Sequence, residues 1–196
     1  MRDGELEIVT RHSPAAADAY AALTAHLHES FGAAVFSDDA GSIDEVVAGL
    51  LRAANATVAT AESCTAGLLA GRLADVPGSS AYLLGGFVTY ANEAKVAEVG
   101  VPQELLDTVG AVSAEVAEAM ATGARDRLST DYGIGITGVA GPDGGTADKP
   151  VGLVHVCLVV GDEVHPLRLM LGGSRAAIRQ RTVVAALHLL RTTLAE

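Results

Sequence analysis

The 196-residue sequence contains no tryptophan, and aromatic residues make up only 4% of it. It has no run of about 18 apolar residues, so we expect no membrane-spanning helix. The N-terminus lacks the basic and apolar regions of a signal peptide, so export is not indicated. The only two cysteines, Cys64 and Cys157, lie far apart in sequence, and a disulfide framework is not expected. Together these absences predict a cytoplasmic protein.

Basic residues are scarce as well, since 13 lysines and arginines stand against 24 aspartates and glutamates and give a formal net charge of -11. We therefore expect no direct binding to nucleic acid, which requires a basic surface. The charge does not exclude a small anionic ligand, because a local pocket of amides or basic side chains overcomes the global field. Hydrophobic residues make up 49% of the chain, which is enough to form a sizeable core.

The chain beyond residue 40 alternates β-rich runs with helical patterns, which is typical of an α/β fold. Strands are expected at 57–61, 81–90 and 132–137, followed by a hairpin of 151–160 and 163–170. Helices are expected at 42–54, 65–73, 92–99, 114–128 and 174–194, and a further turn or helix is expected to start at 102–107. The alternation predicts a three-layer α/β/α domain over residues 41–196. The hairpin adds antiparallel strands, so we expect the sheet to be mixed. The abundance of small residues further predicts a close approach of helices to the sheet.

Residues 1–40 form a different pattern, which we interpret as a short N-terminal α+β appendage. Short strands are expected at Glu5–Arg11 and Ala33–Phe36, on either side of a helix at Ala15–Phe31. The polar stretch Ser37–Ser42 is typical of a hinge and marks the boundary between the two parts.

Serine–lysine chemistry is the first functional possibility. Ser63, Ser80 and Tyr90 supply hydroxyls in the same segment as Lys95, and Ser63 is expected where a strand gives way to a helix. A lysine accepts a proton from serine at neutral pH only if burial or a nearby cation lowers its pKa. The structural alternative stays open, since serines also cap helices and a lysine on a short helix is usually solvated.

Two further segments are suited to binding an anion. The loop 137–149 follows a predicted strand, and glycines let backbone amides approach a ligand closely. The candidate binding residues there are Thr137, Gly138, Gly141, Gly144 and Gly145. Arg175 follows a glycine pair and a capping serine at the start of the last helix, where a positive side chain is favourable if an anion is bound. A surface turn and an ordinary helix cap are the structural alternatives.

The remaining reactive side chains are weaker candidates for a catalytic or metal site. Cys64 is a possible nucleophile, but a small buried side chain is its more common role. His155 and His165 could face each other across the predicted hairpin, although the carboxylates of a metal site are not evident. We predict no metal and no cofactor.

Six segments appear in chain order and resemble one known family: AESCTAG, VPGSS, GGFVTYANEAK, GAVS, ITGVAGPDGGTADKPVG and GGSR. They resemble the C-terminal domain of the CinA family, over about residues 42–194. One difference is visible, because the family usually has CTGG where this chain has Ala66. In full-length CinA proteins a larger N-terminal domain precedes this one, and residues 1–40 look like the end of the region that joins the two.

The resemblance implies a nicotinamide-nucleotide amidase, which hydrolyses nicotinamide mononucleotide to nicotinate mononucleotide and ammonia in NAD recycling. It implies Ser80 as nucleophile and Lys95 as general base, with Ser63 as the other possible nucleophile. The residues that line the site would be Ser63, Tyr90 and Thr137. Arg175 and the glycine loop would hold the phosphate. The resemblance further suggests a homodimer or a larger homo-oligomer. The alternative is a non-catalytic module that binds nucleotides or protein partners.

Overall fold

The computed structural model describes residues 5–39 and 41–195. The α-helices are α1 (Ala17–Phe31), α2 (Ile43–Ala54), α3 (Leu68–Asp75), α4 (Asn92–Val99), α5 (Gln103–Val109), α6 (Ala114–Leu128) and α7 (Arg175–Leu194). The strands are β1 (Val58–Glu62), β2 (Leu83–Val88), β3 (Tyr132–Gly138), β4 (Leu153–Val160) and β5 (Glu163–Met170). Short 3-10 turns lie at Pro14–Ala16, Gly32–Ala34 and Ser79–Ala81.

The five strands form one mixed sheet in the order β2-β1-β3-β4-β5. Strands β2, β1 and β3 are parallel, whereas β4 and β5 form the predicted antiparallel hairpin. Because β1, β2 and β3 run in the same direction, their carboxyl ends meet at one edge of the sheet, as expected for a ligand-binding edge in an α/β fold.

Helices cover both faces of the sheet, which confirms the predicted three-layer α/β/α fold. Helices α2, α3 and α7 pack on one face around a large core that includes Leu51, Leu69 and Leu187. On the other face, α4, α5 and α6 pack in a second core that includes Met120.

Helix caps and small residues explain much of this arrangement. Ser42 and Glu45 form a reciprocal capping box at the start of α2, and Ser174 caps α7. Helix α6 lies unusually close to β3, since a Cβ atom on Gly135 would be 2.0 Å from the carbonyl oxygen of Ala117. The expected close helix–sheet approach is therefore present, and any side chain at Gly135 would force α6 away.

The N-terminal region differs from its prediction. Helix α1 forms within the expected span, but the strands predicted at Glu5–Arg11 and Ala33–Phe36 are absent from residues 5–39. Only Glu5 makes an isolated bridge. A strand requires a neighbouring strand for its hydrogen bonds, and the central sheet does not extend to these segments. Within the described ranges, no helix is both long and apolar enough to cross a membrane.

Candidate active site

Ser63 and Lys95 are in direct contact at the carboxyl edge of the sheet. Ser63 follows the last residue of β1, and Lys95 lies in the first turn of α4, just beyond β2. The Lys95 Nζ atom is 3.2 Å from the Ser63 Oγ atom. Long side chains on helices point back toward the helix N-terminus, which brings the amine to the strand ends. The structure thus brings together two of the residues predicted from sequence.

Burial gives the Lys95 amine the character of a base. The side chain is only 1% exposed. Besides Ser63, its Nζ atom donates to the backbone oxygens of Thr89 at 3.0 Å and Tyr90 at 3.3 Å. All three acceptors are neutral, and burial lowers the pKa of Lys95 below its ordinary value. The amine is therefore suited to accept a proton from the neighbouring serine.

Glu62 shapes the turn that carries Ser63, and sequence reasoning missed it. Its carboxylate is fully buried and accepts hydrogen bonds from the backbone N–H groups of Gly67, Leu69 and Ala70. Gly67 is the N-cap of α3 and has no side chain to satisfy these amides. Glu62 thus supplies the cap from a distance, and its negative charge is favourable at the positive end of the helix.

The turn itself has an uncommon backbone conformation. Ala66 has a φ of 52° and Gly67 a φ of 87°, so two successive residues lie in the left-handed region. The Ala66 N–H group donates to the carbonyl oxygen of Ser63 at 3.1 Å. Glycine adopts this conformation freely, whereas alanine does so at a cost of about 1–2 kcal/mol.

Arg179 of α7 holds the same turn from the other side. Its Nε atom donates to the Cys64 oxygen at 2.9 Å, and its Nη2 atom donates to the Thr65 oxygen at 2.8 Å. This residue was also missed from sequence, although it lies one helical turn after the predicted Arg175 and so shares its helix face.

Arg175 connects three parts of the site. Its Nη2 atom donates to the Tyr90 hydroxyl at 2.6 Å, and its Nη1 atom donates to the Gly141 oxygen at 2.8 Å. Both Arg175 and Tyr90 are exposed. Arg175 thereby connects the start of α7 with the loop after β2 and with the glycine loop.

The predicted glycine-loop residues divide into two groups. Thr137 and Gly138 end β3 beside Ser63, whose N–H group donates to the Ile136 oxygen. The Thr137 hydroxyl donates to the Ala111 oxygen at 2.7 Å, which ties it to the loop before α6. Gly141 contacts Arg175, whereas Gly144 and Gly145 lie farther out on the exposed part of the loop.

The family model for the CinA C-terminal domain matches residues 40–194. The chain belongs to the CinA family. A CinA-like protein of Mycobacterium marinum is 51% identical over 197 residues, covering all of this chain and 46% of the relative. A CinA-like protein of Mycobacterium tuberculosis is 49% identical over 195 residues, covering 99% of this chain and 45% of the relative. The chain therefore spans slightly less than half the length of these curated CinA relatives.

Solved structures of CinA proteins share the fold. A competence/damage-inducible protein of Agrobacterium tumefaciens matches with a TM-score of 0.75 and 42% identity, over 82% of this chain and 99% of that one. A CinA superfamily protein of Klebsiella pneumoniae matches with a TM-score of 0.75 and 32% identity, over 79% and 99% of the two chains. The layered fold is therefore the CinA fold.

Ser80 lies apart from Lys95 within this CinA chain. It sits in the exposed 3-10 turn that precedes β2, whereas Lys95 reaches the residues that follow β2. The six residues of β2 separate the two ends by roughly 17 Å at about 3.3 Å per residue. The catalytic role of Ser80 stays a prediction, and Ser63 is the hydroxyl that contacts the amine.

Cys64 does not have the surroundings of a cysteine nucleophile, and His155 and His165 do not have those of a metal site. Burial raises the pKa of the Cys64 thiol to about 11, so the thiolate is disfavoured at neutral pH. The expected pairing of His155 and His165 is wrong, because His155 pairs with Arg168 and His165 pairs with Leu158. Among the described residues, no group of three or more His, Cys, Asp or Glu side chains is arranged to bind a metal.

Proposed function

We propose that this CinA domain hydrolyses the carboxamide of nicotinamide mononucleotide, with Ser63 as nucleophile and Lys95 as general base. The observation that carries the proposal is the buried 3.2 Å contact between Lys95 Nζ and Ser63 Oγ. The lowered pKa of Lys95 supports it, since a neutral amine is required for proton transfer. The products are nicotinate mononucleotide and ammonia, as the resemblance of the sequence motifs implies.

The proposed reaction has two stages. The Ser63 Oγ atom attacks the carboxamide carbon while Lys95 takes the hydroxyl proton, which gives a tetrahedral intermediate. The C–N bond then breaks, and Lys95 returns the proton to the departing nitrogen, which leaves as ammonia. Water then attacks the resulting ester and one of its protons passes to Lys95. The bond to Ser63 breaks as Lys95 gives that proton to the Ser63 oxygen, and the carboxylic acid product releases its own proton to solvent and leaves as the carboxylate.

We further propose that Arg175 binds the phosphate of the substrate. Two of its N–H groups bond to Tyr90 and Gly141, which fixes the guanidinium plane and leaves the remaining N–H groups for a ligand. Phosphate binding anchors the substrate away from the reacting amide, so this binding energy serves to orient the carboxamide. In this proposal the enzyme acts in the cytoplasm as a homo-oligomer.

The deciding experiment measures ammonia release from nicotinamide mononucleotide by the wild type and by Ser63→Ala, Ser80→Ala and Cys64→Ser. We expect Ser63→Ala to lose activity, and the neighbouring Cys64→Ser variant to keep most of it. Loss in Ser80→Ala with activity retained in Ser63→Ala would overturn the assignment of Ser63. A wild type that binds the nucleotide and releases no ammonia would favour a non-catalytic module.

Arg175→Ala provides a separate test of the phosphate contact. We expect it to raise KM for the nucleotide at least about tenfold, the scale of a lost charge-assisted hydrogen bond. KM for the phosphate-free riboside should change much less. An equal effect on both substrates would remove Arg175 from phosphate binding.

A further inference from the structure

We propose that Arg179 is a positioning residue that aims the backbone N–H group of Thr65 at the oxygen of the scissile carboxamide. The inference rests on the proposed amide hydrolysis and adds the group that stabilises the negative oxygen of the tetrahedral intermediate. Such donors are most effective when they are fixed in place before the reaction begins. This N–H group lies in the turn from Ser63 to Gly67.

The direction of the Thr65 N–H group follows from the two contacts of Arg179. Adjacent nitrogens of one guanidinium edge bond the carbonyl oxygens of Cys64 and Thr65, which must therefore point toward α7. In a trans peptide the N–H group points opposite to the C=O group. The N–H group of Thr65 shares a peptide with the Cys64 carbonyl, so it points away from Arg179.

Among the described residues, the N–H groups of Cys64 and Thr65 in this turn have no acceptor, and of these two only the Thr65 N–H group shares a peptide with a carbonyl that Arg179 holds. The N–H group of Ser63 donates to Ile136, that of Ala66 donates to Ser63, and that of Gly67 donates to Glu62. Within the described part of the chain, the Thr65 N–H group has no acceptor, and its buried hydroxyl oxygen has no partner either. Buried amides without an acceptor are rare in native proteins, so an unpaired donor two residues after the nucleophile points to a ligand.

Arg179 also explains how a strained turn keeps its shape. Ala66 occupies a left-handed conformation that an alanine would leave if nothing held it. The guanidinium spans 115 residues of sequence to reach this turn and is half-buried. Its positive charge on the two carbonyl oxygens polarises their peptides, which makes the Thr65 N–H group a stronger donor.

The test compares Arg179→Ala with Arg181→Ala, its matched control on the same helix. Arg181 donates to the Gly172 oxygen at 3.2 Å and does not contact the turn. We expect Arg179→Ala to lower kcat about a hundredfold with KM little changed, because the donor acts on the transition state. Added guanidinium ion should restore part of the lost kcat, whereas Arg181→Ala should behave as the wild type.

A second readout is independent of the natural substrate. A fluorophosphonate probe forms a bond from phosphorus to the Ser63 oxygen with loss of fluoride, and mass spectrometry gives the labelling rate. We expect slow labelling in Arg179→Ala, rescue by guanidinium, and an intermediate rate in Arg179→Lys. The lysine variant serves in both assays if the alanine variant fails to fold.

The outcomes separate the two proposals. A wild type that labels at Ser63 but releases no ammonia from the nucleotide overturns the proposed substrate and leaves the Arg179 comparison valid. Folded Arg179 variants with wild-type labelling rate and kcat would overturn the positioning role. So would a loss of kcat and labelling that guanidinium does not restore, since removal of a purely structural contact gives that result.

Discussion

At the scale of single residues, the buried Lys95 amine combines function with a cost to stability. Its acceptors are one hydroxyl and two carbonyl oxygens, so none of the groups that bond the amine carries a negative charge to offset its burial. Burial therefore shifts the equilibrium of this amine toward its neutral form, which a base requires. The unfolded chain has an ordinary lysine, with a pKa of about 10.4, that binds a proton at neutral pH.

Lys95→Met should therefore separate activity from stability. We expect turnover to fall at least about a hundredfold, because the general base is lost. Since the folded-state pKa of Lys95 is lowered, stability of the wild type decreases as the pH falls from above 10.4 through that lowered pKa. The methionine variant should be the more stable at pH 7, and its advantage should shrink toward pH 10.

Urea unfolding of both proteins across this pH range measures the effect. A stability difference that stays constant with pH would show that Lys95 titrates in the folded protein as it does in the unfolded chain. The pH profile of wild-type kcat/KM gives an independent check, since it should rise with pH and level off below 10.4.

The backbone strain at Ala66 gives a second prediction, which concerns stability. Its φ of 52° suits glycine, so Ala66→Gly should stabilise the protein by about 1 kcal/mol despite the greater freedom of glycine in the unfolded chain. Ala97→Gly, at an exposed position within α4, should have the opposite sign at about 0.5–1 kcal/mol. Denaturant midpoints of the two variants provide the comparison, and destabilisation by Ala66→Gly would contradict the strain.

Some residues of the candidate site are predictable from the sequence and others are not, for a physical reason. Ser63 and Lys95 stand out because a hydroxyl and an amine are recognisable chemical types. Glu62 and Arg179 act on backbone atoms, and no pattern of residue types reveals which carbonyl or amide a side chain will reach. The glycine N-cap of α3 was the available signal for Glu62, because a helix start without a side-chain cap requires another acceptor.

At the scale of elements, the short helix α3 depends on a carboxylate outside it. Two oxygens of Glu62 accept three amides from the start of this helix and the hydroxyl of Thr60. The Ser63 turn lies between Glu62 and the helix it caps. The position of α3 and the shape of the turn are therefore coupled through one side chain.

Glu62→Gln should break that coupling. A glutamine keeps one oxygen, but its NH2 group must face backbone N–H donors, so we expect a loss of about 2 kcal/mol in the free energy of unfolding. Glu45→Gln, in the exposed capping box of α2, should cost less than about 1 kcal/mol. Thermal or urea unfolding compares them, and equal losses would mean that burial adds nothing to the cap of α3.

The helices with their own caps and the strands of the central sheet followed their predictions, whereas the two strands expected in the N-terminal region did not form. Helices α4 and α6 form over the expected residues, since their boundaries are determined by local residues such as Gly100 and Ser113. The two N-terminal strands are absent because the described residues offer them no neighbouring strand. The sequence also did not predict the distance between Ser80 and Lys95. The order of the motifs along the chain does not show that the length of strand β2 separates these two residues in space.

At the scale of the whole molecule, charge limits the partners. A net charge of -11 repels a polyanion, and binding to duplex DNA depends on cations that neutralise phosphates. We therefore expect no change in the fluorescence anisotropy of a labelled duplex at about 10 μM protein and physiological salt, where non-specific DNA-binding proteins associate. Salt-sensitive binding under these conditions would contradict the prediction and identify a local basic surface.

The chain has only two lysines, and both direct their amines at backbone oxygens. Lys95 Nζ donates to Thr89 and Tyr90, while Lys149 Nζ donates to Val109 at 2.6 Å. Acyl donors and reducing sugars modify lysines through an exposed amine, and the lysine side chains of this protein offer them little. Its surface cations are instead arginines, which acetylation does not neutralise, so metabolic acylation of lysine leaves the net charge of the protein almost unchanged.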